Sequence, residues 1–250
     1  MKHGEFFIIS PEDVYHDMLY IKGPELKHLS QVLRKKIGDA AAATDGQGNV
    51  YDFIITQISK DRAEAEIQKR RRLVGEPFFH LNLAQAVLKG NHFEMIVEKG
   101  TEIGVSTFTP MTTENTIPEV TGQKLTRYQR IACEAMKQCC RSIIPLLQSP
   151  QSFEEILENS QRQYVKLIAH PGREAMPVKL VMEQYRQKIN SLKLKSGILL
   201  VGPEGGFSDT EYKTAVKAGF QPISLSKRRL RAETAGLVGA TLVLEHMGEF

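Results

Sequence analysis

The chain has 250 residues, enough to bury one large core or two unequal ones, and two domains are expected. With 41% hydrophobic and 25% charged residues the composition excludes a disordered or fibrous chain, and the net charge of +4 permits a nucleic-acid partner without demanding one. No apolar run is long enough to span a membrane, and Met1 to Ser10 lacks the apolar core of a secretory signal, so a cytoplasmic protein with no membrane partner is expected.

The first seventy residues read as a small β-rich unit with one helix. Leu26, Leu29, Val32, Leu33 and Ile37 stand at helical spacing over Glu25 to Ile37, and Gly38-Asp39 stops the pattern. Asp45 to Gly48 is a turn signal, Val50 to Ile58 reads as a strand, and Ala63 to Ile67 alternates with glutamates as a last strand. A β-barrel over residues 1–72 is expected. From Lys69 to Pro77 the composition shifts to charged residues, Gly and Pro, which reads as a linker to a second domain at 73–250. There, strands and helices alternate. His80 to Ala86 is a strand, Phe93 to Ile103 a helix ended by Gly104, Val105 to Met111 a strand and Thr126 to Cys140 a helix. Tyr164 to Ala169, Val178 to Ile189 and Gly197 to Val201 continue as strand, helix and strand, the pattern of an α/β domain with a mainly parallel sheet.

Cys133, Cys139 and Cys140 include no Cys-x-x-Cys pair, so reduced thiols are expected and no metal site. Lys and Arg cluster at Arg34 to Lys36, Lys69 to Arg72, and Lys227 to Arg231. Together they suit phosphate binding, although each alone is better explained as a solvated face or linker.

The buried run Ile198 to Val201 leads directly into G-P-E-G-G at 202–206, where three glycines let a ligand approach the main chain. Ser208-x-x-Glu211 is a capping box that starts the next helix, which ends at Gly219. The lysine and Ser/Thr of a Walker loop are absent, G-x-G-x-x-G cannot be fitted, and Glu204 stands where a nucleophile elbow needs serine. Phe220 to Leu225 reads as another strand, followed by a basic loop and the apolar helix Ala235 to His246. Two neighbouring strand ends thus present a glycine loop and a basic loop, the usual place for a ligand in an α/β sheet.

Four segments, G-P-E-G-G-F at 202–207, L-R-A-E-T-A at 230–235, L-K-G at 88–90 and E-K-G-T-E-I-G-V at 98–105, resemble the RsmE family of SPOUT methyltransferases. H-L-S-Q-V-L-R at 28–34 is similar to that family's small RNA-binding domain. The resemblance implies an N-terminal PUA-like barrel and a C-terminal SPOUT α/β domain with a trefoil knot. It also implies an S-adenosylmethionine-dependent enzyme, homodimeric through the SPOUT domain, that methylates N3 of a uridine in small-subunit ribosomal RNA, naked or in the assembled subunit. The implied cofactor residues are Ile168, Ala169, His170, Gly202, Glu204, Gly205, Gly206, Leu225, Ser226, Leu230 and Thr234. Arg231 is expected to stabilise charge on the base, and Glu233 to take its proton, orient Arg231 or merely cap a helix. RNA contacts are expected at Arg34, Lys35, Lys89, Lys99, Glu102, Arg141 and Arg228, with a Lys99–Glu102 helix pair as the plainer account of those two. Relatives acting on a ribose hydroxyl or guanine N1, and an assembly factor without catalysis, stay open as alternatives. Three segments depart from the family pattern: Thr113 to Thr116, where an arginine is usual, Cys139 to Arg141, and Ser226 to Arg229.

Overall fold

The structure, a computed structural model, describes residues 6–117, 119–172, 174–189 and 195–250. These fall into two compact units, one drawn from the chain up to Glu76 together with Cys133–Ile144, the other from Pro77–Ala132 and Pro145–Phe250.

The first unit is a six-stranded sheet of β1 (Phe7–Ile8), β2 (Val14–Tyr15), β3 (Met18–Lys22), β4 (Ala40–Thr44), β5 (Asn49–Ile58) and β6 (Arg62–Arg72). Its order is β1-β4-β5-β6-β3-β2, antiparallel except where β1 meets β4. Alternate residues of each strand point inward, and Phe7, Leu19, Ile21, Phe53, Ile55, Ala63 and Ala65 form the core around which the sheet curls. Helix α1 (Gly23–Lys27) continues through a wide π turn at His28–Val32 and ends where Arg34 takes a φ of 51°. The helix expected as far as Ile37 therefore stops early. Leu26 and Leu29 reach the core, whereas Val32 and Ile37 are 65% and 64% exposed. The basic run Lys69 to Arg72, expected in a linker, is instead strand β6. Arg71 there binds Asp52 of β5 through Nε at 2.9 Å and Nη2 at 2.5 Å.

The returning segment is fastened to this unit by buried charge. Glu76 accepts from Arg141 Nη2 at 2.9 Å and from the backbone N–H groups of Ser142 and Ile143 at 2.7 and 2.8 Å. The Ser142 carbonyl takes Gly48 N–H and the Thr44 hydroxyl, and Lys137 pairs with Glu25 at 2.7 Å. Arg141 was expected to contact RNA. It is 3% exposed and bound to Glu76, so its guanidinium is not offered to a phosphate.

The second unit holds an eight-stranded parallel sheet with α-helical connections. In chain order its elements are β7 (His80–Ala86), α2 (His92–Ile103), β8 (Thr107–Thr112), α3 (Gly122–Gln138), β9 (Leu146–Leu147), β10 (Gln151–Ser152), α4 (Phe153–Asn159), β11 (Val165–Ala169), β12 (Met176–Pro177), α5 (Val178–Ile189), β13 (Ser196–Val201), α6 (Asp209–Lys217), β14 (Gln221–Ser224) and α7 (Ala232–Met247). Helix α3 runs across the division, its last residues from Cys133 belonging with the first unit. The strand order is β10-β8-β7-β13-β11-β14-β12, with β9 beside β8. Every residue of β13 is buried, as expected of a strand covered on both faces. Helix α7 packs on α2, α5, β7 and β13, and a Cβ on its Gly239 would stand 2.7 Å from Leu199, so glycine permits the close seat. No helix among the described residues is long and apolar enough to cross a membrane.

Candidate functional site

Parallel pairing brings the carboxyl ends of β7, β11, β13 and β14 to one edge: Ala169 lies opposite Ile223, Ile168 opposite Leu200, and Val201 opposite Gln85. Beyond that edge is a cavity of about 660 Å³, within the usual range for small-molecule sites. Its walls are Ala169–Pro171 after β11, Val201–Phe207 after β13, most of Ile223–Ala235 after β14, and His92 at the start of α2.

Most of the expected site residues meet here. Ala169, His170, Gly202, Glu204, Gly205, Gly206, Leu225, Ser226, Leu230, Arg228, Arg231 and Glu233 all line the cavity. Two expected cofactor residues do not. Ile168 is wholly buried in the core and Thr234 is exposed in the first turn of α7. Lys89 stays outside the lining, though its N–H donates to Glu204 Oε1 at 3.4 Å. Lys99 lies between Glu98 and Glu102 on α2, at 2.7 and 2.9 Å, and the hydrogen bonds it donates to those carboxylates push its ammonium pKa up. In the first unit Arg34 is exposed, and Lys35 Nζ donates to the Ala40 carbonyl.

The glycine loop closes as a turn, with Gly206 N–H on the Pro203 carbonyl at 2.9 Å and Gly206 at φ +74°. A Cβ on Gly202 would come 3.2 Å from the Phe207 ring, so glycine lets the loop fold back and set that ring against Phe153. The expected capping box then starts α6: Ser208 Oγ accepts Glu211 N–H at 3.2 Å, and Glu211 Oε2 accepts Ser208 N–H at 2.8 Å.

His170 Nδ1 accepts the Gly172 N–H at 3.0 Å, and its ring lies 4.4 Å from the Tyr212 ring. Burial draws its pKa down, against the opposing pull of Asp209 and Glu174. With Nδ1 accepting, the neutral ring carries its proton on Nε2. Arg231 is the N-cap of α7 and its side chain is exposed. Glu233, two residues on, is only 8% exposed, with Oε1 3.7 Å from His92 Nδ1. The cavity wall thus combines three cations, Arg228, Arg229 and Arg231, with a recessed carboxylate.

Sequence reasoning missed His92 and Gln85. His92 carries no motif beyond following L-K-G at the end of β7. Gln85, wholly buried one residue before the end of that strand, directs Nε2 to the carbonyls of Ala86, Val201 and Gly202, each at 3.4 Å. The residues present fit S-adenosylmethionine. Three loops offer mostly main chain to one cavity of suitable size, and at Gly206 no atom lies within 4 Å of where a Cβ would stand.

A family profile described as an RNA methyltransferase domain matches residues 75–244, and one described as an RNA methyltransferase PUA domain matches 21–68. The chain is 32% identical over 238 residues to a Synechocystis protein named ribosomal RNA small subunit methyltransferase E, covering 92% of this chain and 74% of that one. A Buchnera aphidicola protein of the same name is 30% identical, with 96% and 92% covered. Among solved structures, the Neisseria gonorrhoeae ribosomal RNA small subunit methyltransferase E bound to S-adenosyl methionine aligns over 95% of both chains, at a TM-score of 0.80 and 27% identity. A Legionella pneumophila methyltransferase in complex with SAM aligns at a TM-score of 0.76 and 27% identity, over 97% of this chain and 95% of that one.

Proposed function

The chain belongs to the RNA methyltransferase family of the ribosomal RNA small subunit methyltransferase E type, and from that premise we propose that it methylates N3 of one uridine in small-subunit ribosomal RNA. It is an S-adenosylmethionine-dependent ribosomal RNA methyltransferase. The observation that carries the finer reading is the cavity in which the glycine loop, the His170 loop and the Arg228–Glu233 segment face one another.

When bound, S-adenosylmethionine supplies an electrophilic methyl group. The backbone of Ala169–His170, Gly202–Gly206 and Leu225–Leu230 holds and orients it. Uridine N3 carries a proton at neutral pH and is a poor nucleophile until that proton leaves. Arg231 stabilises the negative charge that then spreads onto the uracil carbonyl oxygens. Glu233, recessed in the cavity wall, takes the proton or holds Arg231 in place. Arg228, Lys89, Lys99 and Glu102 meet the RNA from the second unit, and Arg34 and Lys35 hold its phosphates from the first. The working form is a homodimer through the second unit, whose last helix completes a trefoil knot, and it acts in the cytoplasm on naked ribosomal RNA or the assembled subunit.

Nucleoside mass spectrometry of ribosomal RNA from a deletion strain tests the reading. Loss of N3-methyluridine is expected; its persistence, with loss of a ribose-methylated nucleoside or 1-methylguanosine instead, overturns the choice of base atom.

A further inference from the structure

The turn at Thr113–Thr116 is wired to the glycine loop and to the helix after it. Its own threonines stitch it. Thr116 N–H reaches the Thr113 carbonyl at 3.0 Å, and Thr116 Oγ1 accepts Thr113 N–H at 3.0 Å and lies 2.8 Å from Thr113 Oγ1. Two bonds then fasten it. Glu114 N–H donates to Glu211 Oε1 at 2.8 Å, while the other oxygen of that buried carboxylate caps α6 through Ser208. Asn115 Nδ2 donates to the Gly206 carbonyl at 3.1 Å. A Cβ on Gly205 would stand 3.2 Å from Asn115 Cβ, closer than packed carbons settle.

We propose that Asn115 is a positioning residue for cofactor binding: it holds the Gly206 carbonyl and fixes the glycine loop before any ligand arrives. Glycine at 205 is then required by Asn115 and not by direct contact with the ligand. With Gly206 N–H on Pro203 and its carbonyl on Asn115, the peptide groups on both sides of this left-handed residue are fixed. A loop ordered in advance loses less freedom on binding, which raises affinity. The proposal rests on the reading that Gly202–Gly206 holds S-adenosylmethionine.

Calorimetry with S-adenosylmethionine on Asn115→Ala, Asn115→Asp, Asn115→Gly, Gly205→Ala and the double variant Asn115→Gly/Gly205→Ala tests it. Losing one hydrogen bond should raise Kd about fivefold in Asn115→Ala, and Asn115→Asp, which sets a carboxylate against a carbonyl, by at least as much. The double variant should bind no worse than Asn115→Gly alone, because removing the Asn115 side chain makes room for the new methyl group. Affinities of both Asn115→Ala and Asn115→Asp within twofold of wild type overturn the proposal, and strict additivity in the double variant overturns its account of Gly205. If wild type itself binds no S-adenosylmethionine, it is the parent reading that fails. Amide hydrogen exchange on the ligand-free protein then still decides the clamp: Asn115→Ala must speed exchange over residues 204–208, and unchanged exchange overturns it.

Discussion

Adding one methyl group at Gly236 probes how the first turns of α7 are seated over the sheet. A Cβ there would overlap Oε1 of Gln85, which is wholly buried. The amide cannot turn away freely, because its Nε2 reaches three carbonyls, two of them, Val201 and Gly202, at the entry to the glycine loop. Two effects compete in Gly236→Ala. Alanine is favoured over glycine inside a helix by about 1 kcal/mol. Against that stand overlap in a packed core, about 1–3 kcal/mol, and buried carbonyls deprived of a donor, about 1–3 kcal/mol. Bonds at 3.4 Å are long, so the lower ends apply and the net loss is about 1 kcal/mol. For a chain of this size that lowers the melting temperature by about 2–4 °C. Thermal unfolding of wild type, Gly236→Ala, Gln85→Ala and the double variant measures it. The double variant should be no less stable than Gln85→Ala, since the new methyl group then has room. A Gly236→Ala protein melting at or above wild type would refute the reasoning, because helix propensity alone would then govern the site.

Arg231→Ala should lower methyl transfer about 10²–10³-fold, the cost of losing one charge-stabilising donor, and leave the Kd for S-adenosylmethionine almost unchanged by calorimetry; lost cofactor binding would contradict the division of labour. Glu76→Ala leaves Arg141 buried without its carboxylate and should cost about 3–5 kcal/mol in denaturant unfolding, whereas a loss below about 1 kcal/mol would place the pair among exposed bridges. The depressed pKa of His170 sets a pH dependence. Its folded value lies below the ordinary 6.5, so its contribution to stability is complete above 6.5 and is lost as the pH falls through the lower folded value. Melting temperatures below pH 6.5 should therefore fall less in His170→Gln than in wild type, and parallel curves would exclude the assignment.

Local chemistry was legible where a short motif has one physical meaning. Ser208 and Glu211 form the capping box their spacing announced, and Gly104, with a φ of 110°, ends α2 as expected. The same Ser-x-x-Glu spacing at Ser152 and Glu155 starts α4, but with seven residues after a two-residue strand that helix leaves no apolar period long enough to mark it. Long-range pairing was not legible. Lys69 to Arg72 has the composition of a linker, and only the facing residues Asn49 to Asp52 make it a strand. The candidate site divides the same way. Residues inside the glycine and basic loops were readable from the motifs, whereas His92 lines the cavity, and Gln85 and Asn115 reach the glycine loop's carbonyls, through sheet order and turn packing, which no local period records. Ile168 illustrates the converse: it is adjacent in sequence to a cavity residue, but strand alternation turns it into the core.

The Glu76 anchor bears on how the chain is made. The first unit needs Lys137 to Ile143 for its buried charge pairs and for the partners of Thr44 and Gly48. A nascent chain that has just released Glu76 from the ribosome holds a carboxylate without its native partner Arg141, and residues 77–141 must be translated first. At about 5–20 residues per second that is a wait of several seconds. Order of synthesis and order of completion therefore differ: the half that emerges first cannot finish first, and a gene fragment cut after Glu76 encodes a sheet missing its own clasp.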